Sequence, residues 1–179
     1  MKPLLPIMVL LLLGLSSCSS KLTPYTERLN DSYRWTDRQL KNIQFYLSED
    51  IVLWRDLGSS KTRVSNGQIK IVDGRRVEQI VFKKGTPGVF VFSPSADKFA
   101  ISFEDSNDKF LMFGPNKKMS GRFVLLAKEW KQGMGKVTYD DQVWQTSSES
   151  AYSALLVNLK KANNRSYKKK TVSGRKVKG

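Results

Sequence analysis

The chain contains no histidine among its 179 residues. This absence removes the Ser-His-Asp and Cys-His catalytic arrangements, the side chain that most often exchanges protons near neutral pH, and the commonest zinc ligand. Catalysis could still rest on carboxylates or on a lysine, but we predict no catalytic residues, no metal site and no cofactor, and we expect the protein not to be an enzyme.

Acidic residues are also scarce, with 16 Asp and Glu against 31 Lys and Arg. They stand next to one another at Glu49-Asp50, Glu104-Asp105 and Asp140-Asp141. Neighbouring residues on a strand point to opposite faces, so adjacency does not supply the convergent carboxylate pair that a glycosidase requires. Most of these pairs also lie beside turn signals, where we expect solvated acids.

Cysteine occurs once, at Cys18, which excludes a disulfide within this chain. Long hydrophobic runs are missing as well. The run from Leu4 to Leu15 is followed at once by small polar residues, whereas a membrane-spanning helix needs roughly 20 apolar residues. With Lys2 before it, the run has the charged start, the apolar core and the small-residue exit that indicate a secretory signal.

The end of this signal is its most specific part. Leu15-Ser16-Ser17-Cys18 resembles the lipobox of bacterial lipoproteins, and the resemblance implies that residues 1–17 are removed and that Cys18 is lipidated. No acidic residue directly follows Cys18, which in that class favours the outer membrane, and we expect the protein to face the periplasm. The resemblance covers the signal alone and assigns no family to the mature domain.

The next segments differ in composition. Residues 18–35 are polar and mixed in charge, and we predict that they form the lipid anchor and a polar tether. Thr36-Asp37-Arg38-Gln39 has the pattern of a capping box, and apolar residues follow at helical spacing, so the pattern predicts a short helix over 36–47. The predicted units are a signal (1–17), an anchor and tether (18–35), a β-rich domain with a short N-terminal helix (36–159) and a basic C-terminal tail (160–179).

The body of the domain has the pattern of strands. From Ile51 onward, short runs of apolar and β-branched residues recur between turn dipeptides at roughly ten-residue spacing. Ser65-Asn66-Gly67 predicts a hairpin turn between two such runs. Residues 152–160 fit both a strand and a helix, and we favour a strand because the surroundings are β. The predicted fold class is mainly β: a single antiparallel meander, forming a small barrel or a sandwich, with a short N-terminal helix.

The aromatic residues fall into two groups. The phenylalanines of the strand segments are predicted to lie in the core: Phe90, Phe92, Phe99, Phe103, Phe110 and Phe113. All four tryptophans, Trp35 included, stand beside polar or charged neighbours near the ends of elements. Because interfaces favour tryptophan, three of them are candidate contacts for a partner protein or a glycan: Trp54, Trp130 and Trp144. A half-buried tryptophan at the rim of a barrel is the alternative interpretation for each.

Positive charge is concentrated in the predicted tail. The formal net charge is +15, and residues 160–179 hold nine Lys or Arg and no acid. We predict that these residues bind an anionic surface: Lys160, Lys161, Arg165, Lys168, Lys169, Lys170, Arg175, Lys176 and Lys178. Lipid phosphates, lipopolysaccharide, cell-wall carboxylates and acidic membrane proteins offer such surfaces in the envelope. Nucleic acid is not an expected partner, because the chain carries an export signal. The alternative is a solvated terminus.

Three function classes remain open. The preferred one is a membrane-anchored, non-catalytic accessory subunit of the cell envelope that docks on an envelope protein. The second is a binding module for an anionic polymer such as lipopolysaccharide or cell-wall glycan. The third is a carboxylate-dependent hydrolase, which would require two acids that converge in one pocket.

Overall fold

The computed structural model describes residues 21–58, 68–72 and 75–166, which are mainly in strands. The helices are α1 (Glu27–Tyr33), α2 (Asp37–Leu40) and α3 (Leu159–Ser166). The strands are β1 (Thr23–Pro24), β2 (Gln44–Leu47), β3 (Ile51–Asp56), β4 (Gln68–Val72), β5 (Arg75–Phe82), β6 (Pro87–Ser95), β7 (Lys98–Ser102), β8 (Phe110–Asn116), β9 (Arg122–Leu125), β10 (Glu129–Lys131), β11 (Met134–Tyr139), β12 (Gln142–Ser147) and β13 (Leu155–Val157). Two short 3-10 helices, Lys117–Met119 and Ser150–Tyr152, lie between strands.

The strands form two antiparallel sheets. Sheet A has the order β1-β13-β2-β6-β7-β8-β9, and sheet B has the order β10-β11-β12-β3-β5-β4. The prediction of a mainly β, antiparallel fold with a short N-terminal helix is confirmed. The order is sequential from β6 to β9, whereas β1 and β13 are far apart in sequence and pair directly.

A two-stranded ribbon passes from one sheet to the other. Its halves are β2 with β6 in sheet A and β3 with β5 in sheet B. Both halves keep one register, because Phe45 lies opposite Gly88 and, six residues further along, Ile51 lies opposite Phe82. At the bend, Gly85 has a φ of 79°, a conformation that glycine adopts at little cost. The continuous segments β2–β3 and β5–β6 therefore form one long antiparallel pair that contributes to both sheets.

The two edges of sheet A meet, so the sheet closes on itself. The Phe123 N–H of β9 donates to the Tyr25 carbonyl at 3.0 Å, and Thr26 lies opposite Arg122 in an isolated bridge. The enclosed core is built around the fully buried Tyr25 ring. Four aromatic rings have centroids 5.0–6.1 Å from it: Trp35, Phe45, Phe99 and Phe123.

The folded domain begins earlier than the sequence predicted. β1 and α1 lie within the predicted tether 18–35, and both Tyr25 and Trp35 are buried. The stretch from Thr23 onward is therefore part of the domain. The local residues are polar and do not indicate this, because the burial arises from pairing with β9 and β13, whose paired residues lie 96 to 134 positions further along the chain.

The predicted helix over 36–47 is partly wrong. Its start is confirmed as a capping box, since the Thr36 hydroxyl accepts from the Gln39 N–H at 3.4 Å and the Gln39 side chain accepts from the Thr36 N–H at 2.9 Å. The helix ends at Leu40, a turn follows it, and Gln44–Leu47 forms β2. Side chains of β2 are buried alternately, so pairing within sheet A prevails over the helical spacing.

The predicted strand over 152–160 is confirmed for Leu155–Val157 alone. Asn158 follows it, and its Oδ1 accepts from the Lys161 N–H at 3.1 Å. A side chain in this position caps a helix N-terminus, and α3 begins at Leu159. The predicted turn at Ser65-Asn66-Gly67 lies outside the described residues.

The predicted core phenylalanines divide between the two faces of sheet A. Phe90, Phe99 and Phe113 are buried as predicted, whereas the prediction is wrong for Phe92, which is 40 % exposed. A β-bulge lies between Phe90 and Phe92, and the extra residue reverses the side to which the chain presents its side chains. Phe92 instead packs edge-to-face on Phe110, with ring centroids 5.0 Å apart.

Candidate functional site

The pairing of β1 with β13 brings together the two segments predicted to contact a membrane. Thr23 lies opposite Val157. Cys18 stands five residues before Thr23 and Lys160 three residues after Val157. Cys18 itself lies outside the described residues, but five extended residues span at most about 18 Å. A lipid on Cys18 would therefore hold this end of sheet A near the bilayer.

The predicted basic tail starts as a helix that is docked on the domain. Ala162 is 2 % exposed and Leu159 packs against the core. The Asn163 side chain donates to the Tyr33 hydroxyl of α1 at 3.2 Å. The predicted boundary at 160 therefore cuts through α3, an element that belongs to the domain.

The first basic residues of this segment lie in α3, next to the residues that dock the helix on the domain. Lys160 and Lys161 are exposed, and Arg165 lies in the same helix. The remaining predicted contact residues lie outside the described residues: Lys168, Lys169, Lys170, Arg175, Lys176 and Lys178. The beginning of the basic segment thus has a fixed position, beside the point where the chain arrives from Cys18.

Trp144 is a core residue, and its prediction as a contact for a partner or glycan is wrong. Its side chain is 1 % exposed. The indole N–H donates to the Tyr139 carbonyl at 3.0 Å, and the Arg55 guanidinium lies 4.7 Å from the ring centroid. A ring held in this way has no surface left for a partner.

Trp54 and Trp130 lie on opposite faces of sheet B. Trp130 lies opposite Gly135, and the same line of opposed residues crosses the sheet to Leu53. Trp130 and Leu53 therefore extend from the same face of sheet B, and the Leu53 side chain is in the core. Trp54, the next residue, points the other way, and it is half-buried. The structure therefore does not combine the two tryptophans in one site.

Trp130 lies at the edge of a surface groove of about 450 Å³ that also contains Lys117 and Lys118. The indole packs on Gly135, where an added Cβ would come within 2.8 Å of the ring. The other side of the ring remains accessible, and Trp130 is 41 % exposed. An accessible ring beside two lysines can bind an anionic sugar by stacking and charge, which keeps Trp130 as a candidate glycan contact.

A second groove lies between the sheets, and we call it the wedge groove. Its volume is about 350 Å³, and it is lined by Lys98, Phe110, Met112, Leu126, Ala127, Lys128, Val137 and Thr138. The sequence analysis did not find it, because it depends on β8 and β11 lying side by side. The signal available in the sequence was an apolar residue, Met112, among the outward positions of β8.

Glu104 and Asp140 converge, although each was predicted to be a solvated acid on its own turn. Lys109 lies between them, with its Nζ 3.3 Å from a Glu104 oxygen and 3.6 Å from an Asp140 oxygen. The Tyr139 hydroxyl donates to the other Glu104 oxygen. Burial chiefly, and then the Glu104 carboxylate, raise the pKa of Tyr139. Tyr139 therefore keeps its proton and donates it to a hydrogen bond with Glu104, while both carboxylates contact the Lys109 ammonium. These contacts connect the end of sheet B with the loop after β7.

Asp50 does lie on a turn, as predicted, but it is hydrogen-bonded there. It accepts from the Lys84 N–H at 2.7 Å and from the Lys83 ammonium at 2.9 Å. The backbone hydrogen bond from Lys84, followed by the bond from Lys83, lowers the pKa of Asp50. These contacts join the two strands of the ribbon at its bend, so we assign this acid a structural role.

A buried ion pair lies on the inner face of sheet B. Arg55 Nε is 2.5 Å from an oxygen of Glu78, whose side chain is fully buried. The second Glu78 oxygen has no hydrogen-bond partner. Arg55 also donates to the Gln142 side chain at 3.0 Å. Arg55 contacts Glu78, Gln142 and Trp144 together, so we interpret the pair as a support for sheet B.

The described residues contain no group of three or more acidic or cysteine side chains placed to hold a metal ion. None of the described helices combines the length and the apolar character needed to cross a membrane. No protein-family model, no curated protein and no solved structure matches this chain.

Proposed function

We propose that this protein is a lipid-anchored, non-catalytic accessory subunit of the cell envelope, held at the periplasmic face of the outer membrane and bound to an envelope protein. The observation that carries the proposal is the pairing of Thr23 with Val157. It supports a two-part attachment, because the predicted lipid and the first basic residues leave the domain at the same place.

The energetics of membrane binding favour such a pair of signals. One acyl chain alone binds a bilayer weakly and reversibly, and stable anchoring needs a second chain or a basic patch. A lysine or arginine near an anionic leaflet contributes about 1 kcal/mol, but screening limits this to roughly 8 Å at physiological salt. The tether spans at most about 18 Å, so it allows the lysines of α3 to approach the leaflet to within that screening distance.

The arrangement of the acids supports the non-catalytic part of the proposal. Glu104 and Asp140 are the convergent carboxylates that the structure reveals, and Lys109 occupies the space between them. A hydrolase needs a substrate bond in that position. The cluster is therefore better suited to holding the two sheets together.

The groove at Trp130 favours one alternative function, the binding of an anionic envelope polymer. Trp130, Lys117 and Lys118 combine an accessible aromatic face with positive charge. Such a complex would weaken steeply with salt, because its affinity comes from ion contacts, whereas a protein complex built on apolar contacts would persist.

Vesicle flotation tests the membrane attachment. Full-length lipidated protein is mixed with vesicles of phosphatidylethanolamine and phosphatidylglycerol, or with vesicles of phosphatidylcholine alone. We expect the K160Q/K161Q variant to bind the anionic vesicles less well and the neutral vesicles equally well. The K117Q/K118Q variant removes the same charge elsewhere and should bind both like the wild type. Equal binding of K160Q/K161Q to anionic vesicles would contradict the two-part attachment.

Affinity purification of the native protein after mild crosslinking tests the partner. We expect one envelope protein in a fixed ratio that moderate salt does not disturb. Recovery of glycan or lipopolysaccharide without a protein, lost on Trp130→Ala substitution, would instead establish the alternative.

A further inference from the structure

A small pocket lies between α3 and the start of β2, and we call it the polar pocket. Its volume is about 80 Å³. Ile43 and Ala162, which are buried, form its apolar part. Polar side chains line the rest of it: Asn42, Gln44, Tyr46, Asn158 and Lys161. None of the lining residues is acidic, so the charge of the pocket is positive.

The walls of the polar pocket are held by the fold. The Asn42 side chain donates to a carbonyl of α2 at 2.9 Å, and the Gln44 side chain donates to a carbonyl of β6 at 2.8 Å. Tyr46 extends from the same face of β2 as Gln44, and β2 is paired with β13. Asn158 caps α3. The pocket is therefore built before a ligand arrives.

Three hydrogen-bond donors of this pocket are available to a ligand. Asn158 accepts from the Lys161 N–H through Oδ1, which leaves the Nδ2 amide as a donor. Within the described part of the chain, the Lys161 ammonium forms no salt bridge and the Tyr46 hydroxyl no hydrogen bond. Lys161 is exposed and Tyr46 is half-buried, so a ligand can reach both from solvent.

These donors match a phosphate monoester. Its terminal group has three acceptor oxygens and a charge of about −1.5 to −2 near pH 7, whereas a carboxylate has two oxygens. Lysine binds phosphate as a point charge. The ammonium of a zwitterionic headgroup would find no carboxylate here, because no acid lines the pocket.

The size of the pocket also favours a single compact group. Its volume of about 80 Å³ exceeds the roughly 10–15 Å³ that one water requires. It is far below the roughly 300–1,000 Å³ of a pocket that encloses a drug-sized ligand. The polar pocket can therefore take a terminal phosphate, and the molecule that carries the phosphate stays outside.

The polar pocket lies at the end of sheet A that the predicted lipid anchor approaches. Val157 lies opposite Thr23 of β1 and opposite Phe45 of β2. Because both pairs are antiparallel, the chain before Thr23, the residue after Val157 and the residue before Phe45 lie at one end of the sheet. Two of the lining residues, Asn158 and Gln44, are at this end. A membrane held there by the lipid would meet the pocket.

We propose that the polar pocket binds a phosphate monoester, carried by an envelope lipid or by a soluble sugar or glycerol phosphate. Lys161 supplies the charge, and the Asn158 amide and the Tyr46 hydroxyl donate to the phosphate oxygens. The proposal rests on the proposed function, since it names the headgroup that the attached domain recognises. It also separates the two lysines of α3, because Lys161 contacts the phosphate and Lys160 acts through its charge alone.

Vesicle flotation of the full-length lipidated protein tests the site. The vesicles contain phosphatidylcholine with either phosphatidic acid, a phosphate monoester, or phosphatidylglycerol, a diester, in amounts that give the same zeta potential. We expect at least about threefold tighter binding to phosphatidic acid, because hydrogen bonds to a charged group add to the screened attraction that both lipids share.

Single substitutions separate a defined site from general attraction. K161Q should lose the preference for phosphatidic acid. K160Q removes the same charge from the neighbouring exposed residue, which does not line the pocket, and should keep the preference. N158S retains a helix cap and removes the amide donor, and Tyr46→Phe removes the hydroxyl, so each should reduce the preference. Tyr152→Phe, at an exposed tyrosine, is the control, and circular dichroism should show all five variants folded.

Calorimetric titration with glycerol 3-phosphate distinguishes the two sources of the phosphate. Binding that K161Q abolishes and K160Q preserves would support the site and identify a soluble ligand. A preference for phosphatidic acid without binding of glycerol 3-phosphate would support the site and identify a lipid ligand.

The proposal is overturned if the wild type neither prefers phosphatidic acid nor binds glycerol 3-phosphate, or if K160Q and K161Q reduce binding equally. Failure of the proposed function gives a different result. A protein whose K160Q/K161Q variant loses binding to anionic vesicles, but which never prefers phosphatidic acid, retains the two-part attachment and loses the pocket. A protein that binds glycerol 3-phosphate through Lys161, but whose double variant binds phosphatidylglycerol vesicles like the wild type, retains the pocket and loses the attachment.

Discussion

Thr23 and Val157 lie directly opposite each other in the antiparallel pair of β1 and β13. This single contact brings the two ends of the described chain to one side of sheet A. It also makes the stability of the first strand depend on the last one, and on the helix that follows it.

The docking of α3 predicts different effects for two truncations. A chain that ends at Asn158 loses the buried contacts of Leu159 and Ala162, and we expect its free energy of unfolding to fall by about 1–2 kcal/mol. A chain that ends at Ser166 keeps these contacts and should unfold like the full chain. Urea denaturation measures both, and equal stability of the two truncations would show that α3 does not support the domain.

The Arg55–Glu78 pair predicts a strong asymmetry between single and double substitutions. Arg55→Met leaves the fully buried Glu78 carboxylate without its cation, and we expect a loss of about 3 kcal/mol. Adding Glu78→Gln in the same chain removes the buried charge and should recover part of that loss. As a control, Lys131→Met disrupts an exposed pair with Glu129 and should cost less than about 1 kcal/mol. Urea unfolding of the four proteins would refute the interpretation if the double variant were the least stable.

The buried tyrosines predict unfolding at alkaline pH. Burial is the main cause that raises the pKa of Tyr25 and of Tyr139 above the ordinary value of 10.0. Their contribution to stability is complete below that value, and it is lost as the pH rises above it, because the unfolded chain releases these protons first. Absorbance of tyrosinate should show both residues ionising together with unfolding.

Tyr139→Phe separates the two tyrosines. This variant loses the hydrogen bond to Glu104 and should be less stable by about 1 kcal/mol at neutral pH. Its stability should decline less steeply above pH 10, since one suppressed ionisation is gone. Tyr152→Phe changes a side chain that is 59 % exposed and should leave both properties unaltered. An unchanged alkaline profile for Tyr139→Phe would argue against this role.

Asp50 predicts a loss of stability in acid. The hydrogen bonds from Lys84 and Lys83 hold the pKa of Asp50 below its usual value of 3.8. The stabilisation is therefore present above that value and is lost as the pH falls through the lower, folded-state pKa. Asp50→Asn should be less stable than the wild type at neutral pH, and the difference should vanish in strong acid. Asp105→Asn, on an exposed turn residue, is the control, and urea midpoints measured across the acid range decide between them.

Local pattern was enough to predict much of the architecture. The capping box at Thr36 and Gln39 forms because its two hydrogen bonds join residues three positions apart. β7–β9, β11 and β12 also lie in the region where short apolar runs recur between turn signals, and such runs and signals are properties of neighbouring residues. The predicted helix over 36–47 failed where local spacing and sheet pairing disagreed.

The candidate sites required distances that no local pattern contains. Trp130 and Trp144 have similar polar neighbours in the sequence, yet one is accessible and the other is buried, because only Trp144 lies in the interior of sheet B. Glu104 and Asp140 meet at Lys109 through the approach of the two sheets. The wedge groove depends on the same approach.

The sequence by itself determined the mainly β class, the absence of histidine chemistry, the predicted lipid anchor at Cys18 and the excess of basic residues from Lys160 onward, because each follows from composition or from a short motif. The tertiary structure decided that Thr23 pairs with Val157, that α3 docks on the domain, and that β8 and β11 lie side by side. These are contacts between residues distant in sequence, and the register and closure of the whole sheet decide them together.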